Sequence, residues 1–169
     1  GSIWHKSTFY DNTFQKLRFS NVNLFCKLEF DKCDFLSTTW FEQCENLKIS
    51  HLYFVACEFK GFVLYNKSTL DFMDIDRCTF DKSVSFTEAI FNKIRLFEVK
   101  FGGGAYFDEI KINNVKNKSY LKDKTNLVEW KRSLRAIKQE LQKTENKIDF
   151  NKYRNYELAA HYEELKLKE

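Results

Sequence analysis

Five cysteines and three histidines are the side chains of this 169-residue chain best suited to metal binding or to nucleophilic and acid–base chemistry at neutral pH. They are Cys26, Cys33, Cys44, Cys57 and Cys78, with His5, His51 and His161. Their spacing argues against a site. No two cysteines form a Cys-x-x-Cys pair and no two histidines a His-x-x-x-His pair, whereas structural zinc ligands come in such close pairs. The one glycine cluster, Gly102-Gly103-Gly104, is not followed by Lys-Ser/Thr or by a helical pattern, so it lacks the context in which backbone amides cradle phosphate. It reads better as a widened corner. No Ser/His/Asp set or carboxylate pair stands out. The sequence therefore predicts no catalytic residues, no metal and no cofactor, and the chain is not expected to be an enzyme.

What the cysteine spacing does match is a ladder of apolar residues. Counting from Phe9, an apolar residue recurs at Phe14, Phe19, Leu24, Phe30, Phe35, Trp40, Cys44, Ile49, Phe54, Phe59, Leu64, Leu70, Ile75, Phe80, Phe86, Phe91, Leu96, Phe101, Phe107 and Ile112. The step is five, with occasional slips to six and one to four. Twelve of these twenty-one positions are phenylalanine, although phenylalanine accounts for only 18 of 169 residues. A period of five is neither the 3.6 of a helix nor the 2 of a strand. Sustained over about a hundred residues, it points to a solenoid. A second ladder lies two residues earlier and is mostly small or apolar: Leu28, Cys33, Cys57, Met73, Cys78, Val84, Ala89 and Ile94 among others. Residues two apart in extended chain share a side, so each pentad offers two inward groups and then turns.

On these residues the chain resembles the pentapeptide-repeat family, whose pattern is a small residue, a polar residue, Phe or Leu, then two variable positions. Cys33-Asp34-Phe35, Cys57-Glu58-Phe59, Cys78-Thr79-Phe80 and Ala89-Ile90-Phe91 show it. The resemblance implies a mainly β fold, a right-handed quadrilateral β-helix of about five coils, with four pentads to a coil. Stacked that way, one face holds Phe9, Phe30, Ile49, Leu70, Phe91 and Ile112. The next holds Phe14, Phe35, Phe54, Ile75 and Leu96. The third holds Phe19, Trp40, Phe59, Phe80 and Phe101, and the fourth Leu24, Cys44, Leu64, Phe86 and Phe107. Four of the five cysteines then lie inside as small hydrophobes, and an odd count buried this way suits reduced thiols in a cytosolic setting. Glu42 and Asn12 fall on inward positions, where an unpaired polar group is costly. The coil around Thr39–Glu45 is therefore expected to be distorted, with Phe41 turning inward. Trp4 is expected to lie over the first open edge.

The organisation expected is a β-helix over residues 3–114, a basic connector over 115–125 and a helical hairpin over 126–169. Asn126 with Glu129 reads as an N-cap pair. Leu127, Trp130, Leu134, Ile137 and Leu141 follow at helical spacing, the pattern breaks at Thr144–Lys147, and Asp149 is the expected cap of a second helix. That helix resembles the helical tails of some bacterial pentapeptide-repeat proteins. An isolated helix of this length is marginal in water, so the hairpin is expected to close the end of the rod, with a homodimer through the C-terminal helices as the competing arrangement.

Function follows from surface rather than chemistry. Outward positions carry Phe25, Leu36, Tyr53, Val55, Tyr65 and Phe97, and with Trp130 and Leu134 they form the candidate interaction surface. The expected role is a protein–protein interaction or scaffolding module, with a protein partner whose identity the sequence does not give and a cytoplasmic location. An alternative is the cytosolic domain of a membrane-anchored parent, although no apolar run in this chain is long enough to span a bilayer. A DNA mimic that binds a topoisomerase is disfavoured: residues 1–115 carry 14 Lys+Arg against 15 Asp+Glu, far from the one charge per about 1.7 Å of duplex DNA. Residues 116–169 carry 14 against 9, but the bases from Lys116 to Lys138 read as a solvated connector and helix face, not a specific nucleic-acid site.

Overall fold

The computed structural model describes residues 6–21, 27–113 and 124–167, excepting the side chains of residues 45–50 and 124. The chain is mainly β: a solenoid of about five turns built from parallel strands, followed by two helices. The first sheet runs β1 (Lys6–Tyr10), β4 (Lys27–Asp31), β7 (Glu45–Val55), β10 (Thr69–Asp76), β13 (Ile90–Phe97) and β16 (Lys111–Ile112). The second runs β2 (Thr13–Phe14), β5 (Asp34–Phe35), β8 (Glu58–Phe59), β11 (Thr79–Phe80) and β14 (Lys100–Phe101). The third runs β3 (Leu17–Ser20), β6 (Thr39–Glu42), β9 (Val63–Leu64), β12 (Val84–Ser85) and β15 (Ala105–Tyr106). The longer strands of the first sheet bend round a corner, so that this sheet supplies two sides of the coil.

The inward ladder is present, but its stacking differs from the expected columns. Phe9 pairs with Phe30, Phe30 with Phe54, and Phe54 with Ile75, which pairs with Leu96. The second column is Phe14, Phe35, Phe59, Phe80 and Phe101. The third places Phe19 against Phe41, then Tyr65, Phe86 and Phe107, with ring centroids 5.2, 5.7, 6.2 and 4.9 Å apart. Leu70, Phe91 and Ile112 make the fourth. Trp40 and Leu64 therefore face outward, and Phe41 and Tyr65 replace them inside, each fully buried. The cause is an extra residue at the corner before the third side. Gly61 occupies that corner in the third coil, where a Cβ would stand 2.3 Å from the backbone carbon of Ser37, and Gly103 repeats this against Ser83.

The second coil is also long. Between Leu70/Asn46 and Phe72/His51 the pairing of β10 with β7 shifts by three residues, so Phe30 stacks on Phe54 and not on Ile49. This irregularity lies just after Thr39–Glu45, where a distortion was expected, while within that stretch Phe41 turns inward as expected. Glu42 is not buried: it faces outward on the third sheet, 3.7 Å from Arg18. Cys44 sits two residues before Asn46 and holds the small inward position that Ser68 holds one coil on, as the Cys44 N–H bond to Ser68 Oγ at 3.0 Å shows.

Two corners of each coil are turned by residues in the left-handed region. Asp11, Lys32, Ala56, Arg77 and Glu98 form one series, and Asn21, Gln43, Lys67, Glu88 and Glu109 the other, with φ between 51° and 58°. None is β-branched, as this region requires. In the lower coils their N–H groups donate to carbonyls of the next coil, as from Ala56 to Asp76 O at 2.8 Å and from Glu88 to Asp108 O at 3.0 Å.

At the C-terminal end no sixth coil follows among the described residues, and helix side chains take its place. α1 (Lys124–Lys143) lies on β13 and β15 with Leu127, Trp130, Leu134, Ile137 and Leu141 all buried. Val63 and Val84 donate their N–H to Ser83 O and Gly104 O, both at 3.1 Å; the equivalent Ala105 N–H donates to Glu140 Oε2 at 3.1 Å. Lys67 and Glu88 donate to Thr87 O and Asp108 O; the equivalent Glu109 N–H donates to Asp149 Oδ2 at 3.3 Å. Leu96 N–H donates to Ser133 Oγ at 2.9 Å. Each would otherwise be an unpaired sheet-edge donor.

α2 (Lys147–Lys166) packs back along α1 and buries Tyr153, whose hydroxyl donates to Ile110 O at 3.2 Å. Its cap is Asn146, which accepts from Asp149 N–H at 3.1 Å, rather than Asp149 itself. α1 begins at Lys124, two residues before the expected cap at Asn126. Trp4, Leu24, Phe25, Cys26 and most of the basic connector lie outside the described residues.

At the opposite end Asn12 occupies the column of Cys33, Cys57 and Cys78. It does what those thiols do: its Nδ2 donates to Tyr10 O at 2.8 Å, as Cys33 Sγ does to Asp31 O at 3.4 Å. Exposed in the first coil, the amide is no misfit.

Candidate interaction surfaces

The four cysteines among the described residues are buried and spent on structure. Cys33, Cys57 and Cys78 each direct Sγ to a carbonyl of the preceding coil, Phe9 O, Phe30 O and Phe54 O, at 3.4, 3.3 and 3.3 Å. The shared hydrogen bond with Cys57, together with burial, pushes the Cys78 thiol far above its usual range. Held protonated, the Cys78 thiol is neither nucleophile nor metal ligand, while the same hydrogen bond lowers the thiol of its buried partner Cys57. Among the described residues no group of three metal-ligating side chains converges.

One polar chain was not legible in the sequence. On the outer face of the first sheet, His51 Nε2 meets Asp71 Oδ2 at 2.9 Å and His51 Nδ1 meets Tyr53 Oη at 3.4 Å. Asn92 Nδ2 donates to Asp71 Oδ1 at 3.0 Å, and Asn113 Nδ2 donates to Asn92 Oδ1 at 2.9 Å. The sequence signal is a separation of about one coil between successive members. With Asp71 accepting, neutral His51 carries its proton on Nε2 and accepts from Tyr53. The arrangement resembles a proton relay, yet burial, and then the carboxylates of Asp74, Glu29 and Asp71, hold the Tyr53 phenol above its ordinary range. The phenol stays protonated and is a poor nucleophile. Lys27 Nζ lies over the Tyr53 ring at 4.1 Å, Lys93 Nζ over Phe72 at 4.6 Å, and Arg95 and Arg132 over Phe97 at 5.2 and 5.4 Å. This face is a ladder of rings each covered by a cation.

The residues proposed as a surface separate into groups. Leu36 is exposed. Tyr53, Val55 and Phe97 are half-buried on the outer face of the first sheet, Tyr53 and Phe97 under the cations just named. Tyr65 is 1% exposed and belongs to the core, because the corner at Gly61 turns it inward. Trp130 and Leu134 are likewise buried, since α1 turns its stripe onto the solenoid. Exposed apolar groups outside that proposed surface are Tyr10, Phe62 and Tyr106 on the solenoid, and Ile148, Leu158, Tyr162, Leu165 and Leu167 on and just after α2. An open cleft of about 360 Å³ lies at the helix elbow, floored by Leu141 and Phe150 and rimmed by Gln142, Glu145, Asn146 and Lys147.

Searches against protein-family models, curated proteins and solved structures return no match for this chain.

Proposed function

We propose that this chain is a non-enzymatic protein-binding or scaffolding module, a β-solenoid of the pentapeptide-repeat kind closed by a helical hairpin. The observation that carries the reading is the division of the hairpin into two faces. One face supplies the last coil with a Ser hydroxyl, two carboxylates and an apolar stripe. The other leaves Leu158, Tyr162 and Leu165 exposed at 55%, 62% and 45%. Exposed apolar side chains of this density suit a contact surface. A solenoid interior filled by stacked rings offers little concavity for a substrate.

The repeat motifs support the family assignment, and the near-neutral charge of residues 1–115 speaks against DNA mimicry. No helix among the described residues is long and apolar enough to cross a membrane. The test is affinity capture with the purified chain from a lysate of its source cells, followed by reconstitution with the purified candidate. A partner that rebinds at defined stoichiometry supports the reading. No partner that rebinds, or turnover of a small molecule by the pure chain, would sink it.

A further inference from the structure

We infer that the outward face of α2 is one half of a heterotypic coiled coil, and that its partner is a helix with acidic flanks. The inference rests on the binding-module reading and names the partner's chemistry. Ile148, Asn151, Asn155, Leu158, Tyr162 and Leu165 follow one another at steps of three, four, three, four and three residues. That is the a/d spacing of a coiled-coil seam. All six are exposed, Ile148 at 85%. The residues turned toward α1 and the solenoid, Tyr153 and Ala160, lie on the opposite side of the helix. α2 thus has two faces with different periodic roles, and only one is occupied.

The flanks of the seam decide the occupant. In this register the e and g positions are Lys147, Lys152, Arg154, Ala159, His161 and Lys166, with no acid among them. The acids of α2 are directed elsewhere. Glu157 pairs with Arg135 at 3.0 Å and Lys138 at 2.5 Å, Glu164 with Lys131 at 2.5 Å, and Asp149 caps Glu109. Glu163 stays half-exposed beside Lys166 at 2.9 Å, outside the seam. Lys152 is partly committed to Ile110 O at 3.2 Å, and His161 Nδ1 lies 3.1 Å from Lys131 Nζ. Lys147 and Arg154 remain exposed on one flank. A second copy would set cations against cations in either orientation, a like-charge penalty that selects against self-pairing. A helix with Glu or Asp at e and g gains instead. Asn151 and Asn155 in the seam ask for polar partners there, which fixes register.

The probe is a labelled synthetic helix of three heptads, Leu at a and d except for Asn opposite Asn151 and Asn155, and Glu at e and g. Fluorescence anisotropy against the full chain should show binding that weakens with added salt. A Lys-flanked version of the peptide should bind at least about tenfold more weakly. Leu158→Asp should abolish binding with the melting temperature unchanged, and Arg154→Glu with Lys166→Glu, which balances the flanks at two Lys and two Glu, should remove the preference between the two peptides. Equal binding of both peptides, or of neither, overturns the inference. So does a sedimentation mass that doubles in the native chain and falls back in Leu158→Asp, which assigns the face to a second copy. Flotation with phosphatidylserine vesicles that is lost in Leu158→Asp, without peptide binding, assigns it to a membrane instead. If the peptide arm fails but a captured protein still binds Leu158→Asp, the binding-module reading stands and only the heterotypic seam is lost.

Discussion

Glu140 holds its Oε2 3.1 Å from the backbone nitrogen of Ala105, where each lower coil receives a carbonyl of the coil above. A side chain from a helix thus imitates the next rung of a β-solenoid. The carboxylate is itself buried and its other oxygen is 2.6 Å from Lys143. Glu140→Ala leaves a buried N–H without an acceptor and is expected to cost about 1–3 kcal/mol. Glu140→Gln keeps an oxygen at the same reach and should recover most of that loss. Urea denaturation midpoints of the two variants check this; equal losses would mean the hydrogen bond contributes nothing beyond charge.

Phe59 lies between Phe35 and Phe80, with ring centroids 4.4 and 4.5 Å away and planes within 4° of parallel. Phe59→Ala opens a cavity in the middle of a continuous column, and the expected cost is about 3–5 kcal/mol. Because each coil rests on its neighbours, the loss should appear in the single unfolding transition of the whole solenoid. An unchanged melting temperature would contradict the column.

The corner residues make a backbone prediction. Ala56 has φ 51°, a conformation that a β-branched side chain resists. Ala56→Val should therefore destabilise the chain by about 1–3 kcal/mol, while Ala56→Gly should stay close to the parent. Thermal melts of the pair separate backbone strain from loss of a methyl group. Equal stabilities would show that the corner relaxes.

Tyr65 and Tyr153 give the alkaline limb of stability. Burial pushes both phenols above their ordinary range. In the unfolded chain they ionise near about pH 10, while the folded state holds them protonated. Their contribution is thus fully present below that pH and falls as pH rises above it. Tyr65→Phe and Tyr153→Phe should each flatten the fall, read from urea midpoints between about pH 8 and about pH 11. At neutral pH the two should differ. The Tyr65 hydroxyl is buried beside Ser68 without a hydrogen bond of ordinary geometry among the described residues, so Tyr65→Phe should be neutral or stabilising. The Tyr153 hydroxyl bonds Ile110 O, so Tyr153→Phe should destabilise by about 0.5–1.5 kcal/mol. Equal destabilisation by both would contradict the difference in pairing.

Much of the fold was legible because inward burial in a solenoid repeats at a short fixed step. Phe9, Phe14, Phe30, Phe35, Phe54, Phe59, Phe80, Phe86, Phe91, Phe107 and Ile112 could be placed inside from spacing alone, whereas Trp40 and Leu64, placed inside by the same count, face outward. The stripe from Leu127 to Leu141 likewise announced a helix with a face to bury. The candidate surface was less legible, because outwardness was inferred from the same count. Where the count slipped by one, Tyr65 was assigned to the wrong side. The seam on α2 is also a spacing signal, but while the face turned to α1 was undetermined, its residues could not be told from core.

The amino-acid sequence by itself determined that this chain stacks apolar side chains inside a solenoid and follows it with helices, because those features depend on local periodicity, whereas the four-pentad coil was what the family resemblance implied. Which of two adjacent apolar residues points inward was decided only by tertiary structure. Trp40 and Phe41, or Leu64 and Tyr65, fit a single pentad equally well, and a one-residue slip in extended chain reverses the side on which every side chain falls. The register was set by neighbouring coils: Phe41 stacks on Phe19, Tyr65 follows it, and the corner at Gly61 closes against Ser37. The same holds at the end of the rod. The sequence contains Ser133, Glu140 and Asp149 as ordinary polar residues of two helices, and only the docking of those helices brings them to the backbone groups that a missing coil would have paired.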